Sequence, residues 1–381
     1  MQLETITYFA SRGWSIQPFP ALDSAQTLIV VFGAPSFADD PRPIAELRAA
    51  YPRAHFVGCS TSGEIHGTQL NDNSLTVAIA RFESSDLEST LARVNGAQDS
   101  YAAGRQLAET LTRDDLRAIL VLSDGLNVNG SELVRGVNAV VPGSVVVSGG
   151  LAGDGSQFKR TWVLGENGPA SGLVSAVGLY GDHLRLGHGS KGGWDLFGPA
   201  RRITRSQGNV LYELDGRPAL QLYKQYLGER AAGLPATALL FPLAVRAAVG
   251  DDKVLVRTVL GVDEAAQSLT FAGDMPTGHL AQLMRANFER LIDGASIAAT
   301  HTLAENGAAS ASDVLAIAIS CVGRRLVLGE RTEEEIEAAL SVLPPGTQQI
   351  GFYSYGEISP YSSGHCDLHN QTMTLTTISE T

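Results

Sequence analysis

Long apolar runs are missing from this chain. No segment approaches the roughly 18 consecutive uncharged apolar residues that cross a bilayer. The opening residues carry Glu4 and Thr5 where a basic leader would sit, so a soluble, cytoplasmic protein is expected. Cysteine is scarce too. The 3 cysteines, Cys59, Cys321 and Cys366, are odd in number, widely spaced and without a CxxC pair, which argues against both a disulfide framework and a thiolate zinc site. Positive charge is in deficit: 28 Lys and Arg against 40 Asp and Glu give a net charge of −12. Such a field repels phosphate backbones and anionic lipid surfaces, so neither nucleic acid nor a membrane is expected as a partner. Charged residues make up 18% of the 381 positions and hydrophobic ones 44%. That is enough apolar surface to offset chain entropy and argues against extended disorder; the length suits two core-forming units.

Glycine, by contrast, is abundant, with 41 residues scattered between apolar runs. Without a GXY period it marks tight turns between strands and helices. Thr27–Gly33 reads as a buried strand, residues 44–51 as a helix and 54–59 as a second buried strand. The order returns at 118–123, a helix from Ser131 and 144–148. It returns again at 315–320, 332–343 and 349–354. In the last copy Thr332 and Glu335 have capping-box spacing, and the run Glu333, Glu334, Glu335 reads as a solvated first helical turn. Two copies match letter by letter. FVGCSTSGEI (56–65) and IGFYSYGEIS (350–359) pair Gly58 with Gly351, Gly63 with Gly356, Glu64 with Glu357 and Ile65 with Ile358. SGGLAGDG (148–155) occupies the same place without the Glu. Internal duplication is therefore the main organisational feature, and it places sites at corresponding strand ends. Between the copies lie short strand-like pieces at 172–180, 184–188, 202–207, 210–214, 238–249 and 253–260. A helix is expected over 217–227 and a long amphipathic one over 278–293.

Three segments carry a family resemblance: GCSTSGEI, GGWDLFGPARRITRSQGNVLYELDGRPALQLYKQYLG (192–228), and GFYSYGEISP followed by LHNQTMTLT (368–376). Over residues 28–378 the chain resembles the FIST proteins, a bacterial family of paired FIST N and FIST C sensory domains. The resemblance implies a FIST N domain over 27–215 and a FIST C domain over 216–379. It implies an intracellular sensor of small ligands, with amino acids proposed as ligands. A stand-alone subset of the family, the NosP type, binds haem, senses nitric oxide and acts on histidine kinases or on the cyclases and phosphodiesterases of cyclic-di-GMP. The fold expected is α/β, built from repeated βα units with mixed sheets in two tightly joined domains, layered α/β/β/α.

Several chemical motifs fail on inspection. A nucleophile elbow centred on Ser60 needs Gly at 62 and finds Ser62, while the duplicate has Tyr355 there. Residues 149–158 lack the G-x-G-x-x-G order, 187–193 lack Gly-Lys-Ser/Thr, and a calcium loop over 125–136 would have Gly125 and Gly136 at its first and twelfth positions, leaving Asp124 and Asn129 as turn caps. The 8 histidines form no HxH or HExxH. What remains is a Gly-rich loop whose N–H groups and hydroxyls suit a polar ligand head: Ser60, Thr61, Ser62 and Glu64, with Tyr353, Tyr355 and Glu357 in the duplicate. Each glutamate could work as an acid or base, which keeps a hydrolase or transferase as the runner-up; or it could fix its own loop. Arg202 and Arg205 could fork-bind a carboxylate or haem propionates, or pair with surface acids. If haem binds, His188, near Trp194 and Phe197, and His365, near Tyr361 and Tyr355, are the candidate axial ligands. Because the elbow is broken, a fluorophosphonate probe is expected to leave Ser60 and Ser62 unlabelled; a stoichiometric adduct on either, seen by mass spectrometry, would reinstate the hydrolase.

Overall fold

A computed structural model describes residues 1–251, 253–306, 313–361 and 364–381. One βα unit recurs in it three times. Each opens with a strand buried on both faces: Thr27–Gly33, Leu116–Ser123 and Leu315–Cys321. Runs such as TLIVVFG and AILVL suit this central place, because they offer no polar face to water. A helix follows, Arg42–Ala50, Gly130–Asn138 or Thr332–Ser341. It leads into a second strand parallel to the first: His55–Ser60, Val146–Leu151 or Gln348–Ser354. A hairpin and an antiparallel return strand complete the unit, the returns being Ser74–Arg81, Leu173–Tyr180 and Met373–Glu380.

The register shows the equivalence residue by residue. Gly58 lies opposite Val31, Gly149 opposite Val121 and Gly351 opposite Ala318. At all three glycines a β-carbon would overlap the carbonyl oxygen of that partner, so only hydrogen fits. Asn73, Gly172 and Gln371, which stand at one register position ahead of the return strands, share left-handed φ values of 57°, 66° and 57°.

No unit finishes its own sheet. The first unit's hairpin (Glu64–His66, Gln69–Asn71) extends the third unit's sheet beside Gln348–Ser354. The second unit's hairpin (Val163–Gly165, Gly168–Ala170) extends the first sheet beside His55–Ser60, and the third's (Gly356–Pro360, Cys366–His369) extends the second beside Val146–Leu151. The opposite edges are exchanged as well. Asp86–Arg93 follows the first unit yet lines the second unit's return strand, and Leu184–Lys191 follows the second yet lines the third's. Gln2–Phe9 lines the first. It thus takes the place of a strand that would follow the third unit, and the Met1 amine lies 3.4 Å from the Glu380 carboxylate.

Each leading strand sends alternate residues to a common centre. Val30, Phe32, Leu120, Leu122, Ile317 and Ile319 share one buried cluster, in which the Phe32 and Phe352 rings lie 4.6 Å apart. Their neighbours Ile29 and Val31, Ile119 and Val121, and Ala316 and Ala318 face three separate outer clusters. The α/β class and repeated units are as expected. Instead of two stacked sheets, however, three sheets turn one face each to a shared core, because the exchanged hairpins close them into a ring.

The chain between Leu184–Lys191 and the helix Phe288–Asn306 forms a fourth, eight-stranded sheet with its own core around Ile203, Leu220, Phe271 and Leu283. Here the helix expected over 278–293 is corrected. Leu280–Arg285 is a strand whose Ala281 and Leu283 face that core with period two, and the helix starts at Phe288. The strand read over 238–249 divides into a 3-10 turn, Ala236–Leu240, and a short strand, Leu243–Arg246. Thr332 is the first helical residue and Arg331 the cap, so the capping box is not formed. Glu335 is not solvated either. It is buried with Arg324 at 2.7 Å and accepts from Ser320 and Tyr353.

Gly351→Ala should lower stability in urea titrations by about 3 kcal/mol or more, because strands must part to admit the methyl. Gly67→Ala, at φ 60° with open space around it, should cost only about 1 kcal/mol.

Candidate functional site

The three signature loops meet at the C-terminal ends of the central strands and are tied in a cycle by equivalent backbone bonds. Gly153 N–H donates to Ser60 O at 2.9 Å, Tyr355 N–H to Leu151 O at 3.1 Å, and Ser62 N–H to Tyr353 O at 2.8 Å. The structure thus gathers Ser60, Thr61, Ser62, Glu64, Tyr353, Tyr355 and Glu357 in one region. Their polar atoms are engaged with protein partners. Ser60 Oγ accepts from Trp162 N–H and Ser62 Oγ from Gly155 N–H. The Glu64 carboxylate accepts from the Thr61 hydroxyl and from Ser74 N–H and Oγ; that of Glu357 accepts from Ser354 Oγ and Thr372 N–H. Both glutamates therefore clamp the turn that opens a return strand. In the second unit Asp124 does this instead, taking the N–H of Gly172 as well as those of Leu126 and Asn127, while Asn129 caps its helix. Tyr353 donates to Glu335. Tyr355 donates to Asp154 and stacks on Phe158 at 4.4 Å.

The remaining candidates lie elsewhere. Arg205 pairs with Glu213 at 2.9 Å on the fourth sheet. Arg202 bonds Gly278 O through its guanidinium. His365 is exposed in its loop. His188 is buried and lines a cavity of about 490 Å³.

That cavity opens where the edge strand Leu184–Lys191 of the third sheet faces the hairpin Cys366–His369 of the second, and the fourth sheet walls it from outside. Its lining includes His188, Lys191, Trp194, Val254, Val256, Met284, His301, Tyr361, His369 and Thr372. Phe197, expected beside Trp194, is not among the lining residues. The glycines of GHGSKGG bring this wall close to the helix Phe288–Asn306, since a β-carbon at Gly189 would overlap Ala298 O and one at Gly193, φ 86°, would overlap Arg290 O. Burial, and secondarily His301, hold the His188 imidazole below its usual basicity. Burial takes His369 down to about 4, although its Nε2 lies 2.9 Å from Ser359 O. Both rings are therefore neutral at pH 7. Polar bonds tie the fourth sheet to this wall: Val254 N–H to Tyr361 Oη at 3.1 Å, Lys253 to Asp367 at 2.6 Å, and Arg257 to Leu368 O at 3.0 Å. Val254, Val256, Met284 and His301 carry no spacing signal, because the chain crosses into the fourth sheet before returning to the cavity. Gly189 and Gly193 were the legible trace of it.

The fold is three interlocked α/β units with a sheet inserted beside one seam, and that seam holds a cavity of small-molecule size. The family model described as FIST N domain matches residues 27–217, and that described as FIST C domain matches residues 219–360. The chain belongs to the FIST family, whose domains are sensory domains for small ligands in signalling proteins. No protein of curated function matches it. Among the described residues no helix is long and apolar enough to cross a membrane.

Burial raises Glu64 to about 7 and Glu357 to about 8, against an ordinary value of 4.5. The folded state holds these protons more tightly than the unfolded state, so their stabilising effect is complete below pH 4.5 and fades as pH rises through 7 and 8. The urea midpoint should therefore fall between about pH 4.5 and 8 and level off above that, and Glu357→Gln should flatten that fall; an unchanged slope in the variant would count against a buried neutral carboxyl.

Proposed function

We propose that this protein is a non-enzymatic sensor that takes a small ligand into the cavity beside His188 and signals through a partner protein. The observation that carries this reading is the composite wall. The three-unit body supplies His188, Lys191 and His369, the inserted sheet supplies Val254, Val256 and Met284, and the Val254, Lys253 and Arg257 contacts hold the two together. A ligand touching both walls binds one arrangement of sheet and body better than another, and that differential affinity is the physical content of sensing. The engagement of Ser60, Ser62, Glu64 and Glu357 within their own loops favours a sensor over a hydrolase or transferase.

Two ligand classes suit the lining. Lys191 and the Thr372 hydroxyl suit an amino acid or another small polar ligand. His188, kept neutral against an apolar wall of Trp194, Val256 and Met284, suits the axial position of a haem. Bound there, the iron would supply a site for a diatomic gas such as nitric oxide. A histidine kinase or a cyclic-di-GMP cyclase or phosphodiesterase is the partner class proposed for the output.

Haem titration followed by absorbance separates the two. For the haem reading, a Soret band is expected whose ferrous and nitrosyl spectra change in His188→Ala and not in His365→Ala, since the latter residue is exposed outside the cavity. Without a Soret band, an amino-acid panel should raise the melting temperature of the wild type and not that of Lys191→Ala; failure of both arms would remove the cavity as the sensory site.

A further inference from the structure

The cavity has two counterparts, because the hairpin exchange leaves a seam between every pair of the three sheets. At each seam the edge strand of one sheet faces the hairpin borrowed by its neighbour. Thr5, Ser89 and His188 occupy one register position, opposite Ala78, Val177 and Thr376 of the return strands. The seam of Thr5 carries a pocket of about 300 Å³. The seam of Ser89 carries a groove of about 390 Å³ between Asp86–Arg93 and the strands His55–Ser60 and Val163–Gly165, lined by Arg48, Phe56, Ser89, Leu91, Leu164 and Ser175 among others.

Arg48 reaches into this groove from the first helix. Its guanidinium lies 4.8 Å from the centre of the Phe56 ring, and one Nη donates to Gly165 O at 2.8 Å. It forms no ion pair among the described residues, and the other Nη makes no hydrogen bond there. Burial lowers its basicity, and the exposed Glu166, which also lines the groove, makes no ion pair with it among the described residues. A half-buried cation without a counter-charge is costly to keep, and an incoming anion relieves that cost. Ser89 and Ser175, on adjacent strands with side chains on the same face, put two hydroxyls into the groove; that of Ser89 lies 3.0 Å from His55 Nδ1, and that of Ser175 has no side-chain hydrogen bond among the described residues. Leu91, Leu164 and Phe56 supply apolar contact beside the charge.

We propose that this groove is a second ligand site, distinct from the cavity at His188, and that it takes a small organic carboxylate. The carboxylate meets Arg48 Nη and the serine hydroxyls, and the apolar stem lies against Leu91 and Leu164. Because the two seams have different linings, one chain binds two chemically different ligands at equivalent places.

Isothermal titration with sodium butyrate tests this, with inorganic phosphate as the bare-charge comparison. One saturable butyrate site is expected, with phosphate weaker. Arg48→Met should weaken butyrate about tenfold or more, as losing a charge-assisted bond does. Arg48 also supports Phe56 and Gly165, so Ser175→Ala, which spares those contacts, provides a second reading, with about threefold weakening expected. Lys191→Ala, in the other cavity, should leave butyrate affinity unchanged. The proposal is overturned if butyrate shows no saturable binding, if phosphate binds as tightly, if both groove variants bind like wild type, or if Lys191→Ala is the variant that loses binding.

Discussion

The exchange of hairpins among the three units is the constraint on which the rest of this structure depends. Each second strand would otherwise be a free sheet edge, with unpaired N–H and C=O groups open to unwanted pairing. Here each is covered by the hairpin of another unit, and the loops leading to those hairpins are fixed by the cyclic bonds from Gly153, Tyr355 and Ser62. The exchange explains why the three inner faces share one core and why no unit completes a sheet on its own. It also explains the seams. Sheets closed by borrowed strands splay apart where lender and borrower meet, and cavities open there.

The fourth sheet makes the third seam unlike the other two. Its insertion ahead of the helix Phe288–Asn306 adds a further wall, Val254, Val256 and Met284, to the cavity there. The buried Arg324, held by Glu335 and by the carbonyls of Gly192 and Leu291, anchors the point where the chain leaves the body for that sheet and returns. Removing either charge of such a pair strands the other in the interior, typically at about 3–5 kcal/mol, so this junction is the stiff end of the inserted sheet. At the far side the sheet is held by Val254, by the half-exposed Lys253 and by the buried Arg257.

Much of this was legible from residues. The apolar runs gave the central strands, and the match of Gly58, Gly63, Glu64 and Ile65 with Gly351, Gly356, Glu357 and Ile358 gave the duplication, because glycines under a neighbouring carbonyl and carboxylates clamping a turn leave letters that align. The copy in the second unit was half hidden, since in it Asp124, on a different strand end, performs the clamp. Hairpin exchange left no trace, because a strand has the same alternation whichever sheet receives it. Glu335 read as a solvated residue of a triple-glutamate turn, since its partner Arg324 follows another strand and no local pattern announces the pair. Residues 278–293 misled for a related reason: Leu280, Leu283, Met284 and Leu291 fit helical spacing, although the chain breaks at Asn287.

The meeting of Met1 with Glu380 bears on how the protein is made. On the ribosome, the first unit emerges long before the strands that will cover it, and its own hairpin has no sheet to join until the last unit has been synthesised. Vectorial synthesis therefore delivers partly edged sheets in sequence, and the ring closes only once the final strand leaves the exit tunnel. Until then the uncovered second strands present unpaired edges of the kind that aggregate, so the exchange that protects the finished fold leaves its partly made forms exposed.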